Sequence, residues 1–295
     1  MKKGNSAIDP AQVRRRSQLA EIWRNFRKNK GAMIGLILII IIITIGATVS
    51  FWIDYDKIVA MNIRERLQPP SAEHWFGTDE MGRDLFWRVL YGTRYSIAVG
   101  FVAVMVSLAI GIPVGAVAGY FGGKIENLIM RGADIFAAVP GVLMAMVIVA
   151  ILGANVFNLM LAIGIAAVPG FIRTTRAAVL TVKNEEYIEA IRALGKSEPY
   201  IIARHVLPNC LSPIIVRVTL RIAGAIISAS SLSFLGLGIE APLPEWGALL
   251  NGGNKFVMTH PYLTIFPGLA IMITVLAFNL VGDGLRDAMD PKLKR

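Results

Sequence analysis

The 295-residue chain is 55% apolar and only 17% charged, where soluble domains run about 45–50% and about 25%. A formal net charge of +10 would suit nucleic acid, but the cations crowd beside apolar runs and no aromatic-interleaved basic platform accompanies them, so a nucleic-acid partner is excluded. A lone cysteine, Cys210, makes no internal disulfide, and His74, His205 and His260 form no set with metal-ligand spacing.

Residues 1–30 carry nine Lys or Arg and read as a basic cytoplasmic tail. The stretch 31–53 has no charge before Asp54. As a helix it spans about 35 Å at ~1.5 Å per residue, enough to cross a hydrocarbon core of about 30 Å. It is too long for the apolar core of a signal peptide, about 7–15 residues. An extracytoplasmic loop is expected at 54–92, and a membrane core at 93–285. Further spans are expected at 94–119, 132–153, 156–172, 211–235 and 262–282, with a cytoplasmic tail at 286–295. The third and fourth form a hairpin, and the fourth is short. Pro113, Pro140, Pro169 and Pro267 predict kinks, since neighbouring elements can re-satisfy freed backbone groups. The fold class is thus an all-α polytopic membrane protein with six transmembrane helices.

Counting Lys and Arg by side orients it. With the N-terminus inside, the inner segments hold 21 and the outer ones 7, which places both termini in the cytoplasm. Gly111, Gly115, Gly119 and Gly123 recur every four residues and predict a bare face for close helix packing. Asp134 is expected to pair with Arg131 or another boundary cation. Arg217 and Arg221 share one face of the fifth span, where a central charge costs about 2.5–3.5 kcal/mol. They either line a polar cavity, or snorkel and pair structurally.

The inner segment 173–210 is the most informative. Ile188, Ile191 and Leu194 fall on one helical face, Gly195 suits a left-handed cap, and Pro199 suits the first turn of a second helix. Pro208 ends that helix or introduces the next span. The product is two short helices with a sharp turn. Pattern alone leaves two readings open: a knob for a partner's groove, or a surface helix lying on the membrane.

At Glu189, Ala190, Gly195, Leu207 and Pro208 the chain resembles the cytoplasmic "EAA" loop of ATP-binding-cassette (ABC) importer permeases. Ile191 stands for the second alanine and His205 for the loop's isoleucine. Arg204, His205, Val206, Leu207, Pro208 and Asn209 resemble the peptide-importer branch. So do the blocks 76–84, with Gly77, Thr78, Asp79, Gly82, Arg83 and Asp84, and 233–247, with Gly236, Gly238, Pro244, Trp246 and Gly247. The chain is similar to the C-type permeases for dipeptides and oligopeptides.

The resemblance implies a type I ABC importer permease fold in the cytoplasmic membrane of a bacterium or archaeon. It implies a heterodimer with a second permease subunit, two cytoplasmic ATP-binding subunits, and an extracytoplasmic peptide-binding protein. Coupling to the ATPases would involve Glu189, Ala190, Arg192, Gly195, Leu207 and Pro208. ATP and Mg would be bound by the partners, leaving this chain without cofactor or catalysis. Gly195, Lys196 and Ser197 imitate the end of a phosphate loop, but Ala190 occupies its first glycine position and a helix precedes it. An ion-driven carrier is disfavoured because the span interiors hold almost no carboxylates, only Asp134 near an end, and the branch also includes importers of nickel complexes.

Overall fold

The computed structural model describes residues 18–239 and 242–289; most of the basic tail and the last six residues of the C-terminal one lie outside the described residues. Twelve helices are described in chain order: α1 (Gln18–Phe26), α2 (Lys30–Trp52), α3 (Tyr55–Val59), α4 (Leu85–Phe121), α5 (Gly123–Ala138), α6 (Gly141–Leu152), α7 (Val156–Val182), α8 (Glu186–Ala193), α9 (Glu198–Ile201), α10 (Leu211–Phe234), α11 (Trp246–Asn254) and α12 (Tyr262–Met289). Among the described residues, five stretches are long and apolar enough to cross a bilayer: α2, α4, α7, the run Glu198–Phe234, and α12. The bundle has a basic end, where Asn29 Nδ2 before α2 donates to Asp287 Oδ2 in α12 at 3.4 Å. At the opposite end the Tyr262 hydroxyl donates to the Gln68 carbonyl at 2.9 Å.

Glycines on α4 decide how it meets α7. A Cβ at Gly111 would lie 2.4 Å from Phe171 Cβ, one at Gly115 2.6 Å from the Ile172 carbonyl oxygen, and one at Gly119 2.9 Å from that of Arg176. Bare backbone on α4 thus touches α7 directly, gaining dispersion contacts that lipid does not match. Gly123 departs from the expected stripe. No neighbour lies within 4 Å of its Cβ position, and its φ of +56° turns the chain out of α4.

Since the contacts climb both helices in the same order, α4 and α7 run parallel. The chain between them must therefore recross the bundle, and α5 with α6 does so as one crossing bent by 84°. The span expected at 132–153 is in fact this broken pair, beginning at Gly123. Pro140 is the cause: it forces Val139 out of the helical region (φ −87°, ψ 128°) and cannot donate to the preceding turn.

The expected fourth span, 156–172, is also corrected. It continues to Val182 with Pro169 inside it, because a helix does not stop where its apolar run stops. α4 likewise starts at Leu85 rather than at residue 94, with the Asp84 carboxylate accepting from the Trp87 N–H at 3.2 Å. α12 packs between α2 and α10. A Cβ at Gly35 would meet the Ala277 carbonyl oxygen at 2.7 Å, and one at Gly282 the Leu220 side chain at 2.6 Å.

The two outer sequence blocks form a cap at the end opposite the basic one. Asp79 Oδ1 accepts from the N–H groups of Met81 (2.8 Å) and Arg83 (3.0 Å). Its Oδ2 accepts from Arg83 Nε at 2.7 Å and lies 3.4 Å from Arg88 Nε. All three side chains are buried. Arg88 then reaches the carbonyls of Ile58 (3.1 Å) and Pro242 (3.3 Å), tying the first block to the second. The Trp246 indole donates to the Val89 carbonyl at 2.9 Å, and Ser96 Oγ to the buried Glu245 at 3.3 Å. Gly82, at φ +72°, brings its backbone so close to Asn62 that a Cβ would fall 1.7 Å from that carbonyl oxygen.

Two measurements check this packing. Gly115→Leu is expected to lower the stability of the purified protein by about 1–3 kcal/mol through overpacking, whereas Gly132→Ala, with nothing within 4 Å, leaves the detergent melting curve unchanged or raised. Asp79→Ala strands two buried guanidinium groups and is expected to cost about 3–5 kcal/mol. Glu80→Ala, whose contact to Arg83 is 3.8 Å at a quarter-exposed site, costs under about 1 kcal/mol. Equal melting of the Asp79 and Glu80 variants would contradict the assigned network.

Candidate functional site

Beyond Val182 the chain leaves the bundle at its basic end and folds into the helix–turn–helix. Its first helix, α8, is followed by Gly195 at φ +75°. Nothing lies within 4 Å of a Cβ there, so glycine is needed for the left-handed backbone rather than for space. Pro199 sits in the first turn of α9. The second helix does not end at Pro208, as one of the sequence readings had it. It widens into a π turn over Ile202–Val206, tightens over Leu207–Cys210, and runs on into α10. Leu207 is partly buried and Pro208 exposed at that tightening, so together they mark the return to the bundle.

Burial sorts the residues of this element into two groups. Ile188, Ile201, Val206 and Cys210 pack with Ala116, Tyr120, Ala178, Val179 and Ile214, joining the element to α4, α7 and α10 in one apolar cluster, with Ile191 against it. Leu194 does not join them. The expected apolar face of α8 is interrupted there, because the helix overhangs the bundle and Leu194 is 77% exposed. Glu189 and Ala190 are exposed as well, and the Glu189 carboxylate has no partner among the described residues.

Polar contacts brace the same joint. Arg192 Nη2 meets the Tyr120 hydroxyl at 3.1 Å, and its Nε lies 3.4 Å from Glu198 Oε1. The Tyr120 hydroxyl also donates to Glu198. The hydrogen bond to Tyr120 and the charge of Glu198 hold the Arg192 guanidinium above its ordinary pKa. Lys183 Nζ donates to the Gly119 carbonyl at 2.8 Å, satisfying an orphan carbonyl at the end of α4. Arg176 pairs with Glu126 of α5. Of the expected coupling residues, Glu189, Ala190 and Gly195 thus face outward together, while Arg192 is engaged within the chain. Tyr120, Lys183 and Glu198 were not singled out from sequence; the only signal was polar residues spaced around the ends of helices.

Arg217 and Arg221 lie elsewhere, on α10 toward α7 and α12. The guanidinium of Arg217 sits over the Phe171 ring, 5.6 Å from its centre. Asp134 is paired, as expected of a boundary cation's partner, with Arg173 at 2.7 Å rather than with Arg131.

Comparison with known proteins identifies the architecture. A family model described as the binding-protein-dependent transport system inner membrane component matches residues 111–295, and one described as the N-terminal TM domain of oligopeptide transport permease C matches 17–70. The chain is 48% identical over 276 residues to the dipeptide transport system permease protein DppC of Alkalihalophilus pseudofirmus, covering 93% of this chain and 90% of that one. It is 44% identical over 287 residues to the glutathione transport system permease protein GsiD of Escherichia coli, covering 97% and 94%. Its fold matches a chain of the methionine ABC transporter MetNI in an inward-facing conformation, with a TM-score of 0.58 at 19% identity, covering 70% of this chain and 98% of that one. With helix bundle, family models and relatives in agreement, this chain belongs to the binding-protein-dependent ABC importer permeases, in the C-type dipeptide and oligopeptide branch, and is a transport subunit rather than an enzyme.

Proposed function

We propose that this permease moves small peptides across the membrane as one half of a heterodimer, driven by two separate ATP-binding subunits that dock on the α8–α9 turn. The observation that carries this reading is the outward-facing tip of α8. Leu194, Glu189 and Ala190 are open to a partner on an element whose underside is packed onto the bundle. An exposed leucine and an unpartnered carboxylate on a short helix packed from beneath suit insertion into a partner's groove. The relatives' names, a dipeptide permease and a glutathione permease, support a peptide as substrate. The basic end would then face the cytoplasm, ATP and Mg would reside on the partners, and a peptide-binding protein would deliver substrate to the capped end.

Mechanically, ATP shifts the permease between two states only through a difference in contacts between them. An ATPase cleft that closes on α8 would displace it. The buried Ile188 and Ile201, together with the Arg192, Tyr120 and Glu198 contacts, would pass that displacement to α4, α7 and α10 as one body.

The test uses the assembled transporter in vesicles. Leu194→Asp and Glu189→Lys are each expected to reduce ATP-driven peptide uptake at least tenfold. The melting curve of the permease should move little, because exposed residues without partners contribute within about ±0.5 kcal/mol. Normal uptake by both variants would remove the α8 tip as the coupling element.

A further inference from the structure

Two adjoining hollows open between α7, α10 and α12. One, of about 620 Å³, is lined by Arg173, Thr174 and Arg217 among others; its neighbour, of about 320 Å³, shares Thr174 and Arg217 and adds Arg221 and Arg286. Four arginines therefore face one continuous recess. Arg173 pairs with the Asp134 carboxylate. Among the described residues, Arg217, Arg221 and Arg286 have no ion pair or hydrogen bond to an acidic side chain.

Arg217 is held in place without being neutralised. Its guanidinium rests over the Phe171 ring and against Gly170, where a Cβ would fall 2.2 Å from Nη2. Its Nε is buried without a hydrogen-bond partner among the described residues. Phe171 lies on the far side of Arg173 and Thr174 from the basic end of α7, so the side chain does not reach for the headgroups as a snorkelling arginine would. One turn along α10, Arg221 repeats the charge on the same face. Charged side chains on a membrane-spanning helix face the bundle interior or a water-filled cavity rather than lipid tails. The recess must hold water, an anion or another protein surface.

We propose that Arg217 and Arg221, with Arg286 nearby, form an oxyanion-recognition strip that receives the terminal carboxylate of the peptide as it crosses. This rests on the peptide-importer reading. Every unmodified peptide carries that carboxylate whatever its side chains, and arginine's planar fork matches it in two parallel hydrogen bonds. A strip that reads only this group would pass peptides of differing sequence. The Phe171 and Gly170 cradle fixes one fork in place, lowering the ordering cost of each binding event.

The experiment places a reporter in the recess without touching the arginines. Thr174→Cys, on a Cys210→Ser background, is assembled with its partner subunits in discs of zwitterionic lipid. It is labelled with an anionic and a cationic thiol reagent of similar size, each rate normalised to a free thiol. The anionic reagent is expected to react at least fivefold faster. That preference should fall to near parity in Arg217→Gln/Arg221→Gln, and a peptide with a free C-terminus should slow labelling while its C-terminal amide does not. Equal normalised rates, no labelling by either reagent, or protection by peptide and amide alike would overturn the proposal. So would protection that requires anionic lipid instead of peptide, which would assign the strip to a headgroup phosphate. ATP-driven uptake of the same peptide by the unaltered complex is measured in parallel. Its absence would sink the peptide reading itself, whereas uptake without anion preference would sink the strip alone.

Discussion

Backbone-to-backbone closeness between α4 and α7 governs the rest of the molecule. Between membrane helices there is no hydrophobic drive, because lipid tails are as apolar as leucine; contact has to come from surfaces that fit better to each other than to lipid. Gly111, Gly115 and Gly119 provide such a surface over about two turns. Making these two helices parallel leaves the intervening chain to recross, and Pro140 lets it do so as a bent pair rather than as a straight third helix against them. The same pairing sets the ends of α4 and α7 side by side. Tyr120 and Lys183 there become the floor on which the helix–turn–helix is built.

That floor makes the element stiff. A short helix in water is marginal by itself, and α8 is only eight residues long. Its order comes from Ile188 and Ile191 packed beneath it and from Arg192 tied to Tyr120 and Glu198. The left-handed Gly195 then sets the direction in which α9 leaves, and the unbroken run from Glu198 to Phe234 makes that direction the axis of a whole span. Stiffness at the joint and openness at the tip are properties of one helix seen from two sides.

Much of this could be read in the residues. Long apolar runs give spans because bilayer thickness is fixed, and the four-residue glycine spacing gave the α4 face because helical periodicity is fixed. The turn at Gly195 was legible for a similar reason, as only glycine is at ease at that backbone angle. Span ends were not. Hydropathy falls at Arg173, yet α7 runs on to Val182, since helix continuity depends on backbone hydrogen bonds and not on lipid contact. Leu194 was misplaced because periodicity tells which residues share a face but not how far the support beneath that face extends. The cap at the opposite end was visible as two blocks of unusual spacing, but the roles within it depend on Arg88 meeting Ile58 and Pro242, contacts remote in sequence.

The arginines divide on the same principle. Arg83 and Arg88 are buried at the cap on either side of Asp79, and Arg88 also donates to the Ile58 and Pro242 carbonyls, so both share a carboxylate supplied by the chain itself, although Arg88 Nε makes no hydrogen bond among the described residues. Breaking such a set leaves a desolvated ion behind, which suits a part that must not change shape. On the recess side, a glycine and a phenylalanine seat Arg217, but among the described residues no carboxylate pairs with it, nor with Arg221 one turn away. A protein that already pairs Arg173 with Asp134 nearby had an acidic residue at hand for that purpose. Leaving two cations unmatched beside a matched one marks the place where the compensating charge arrives from outside the chain.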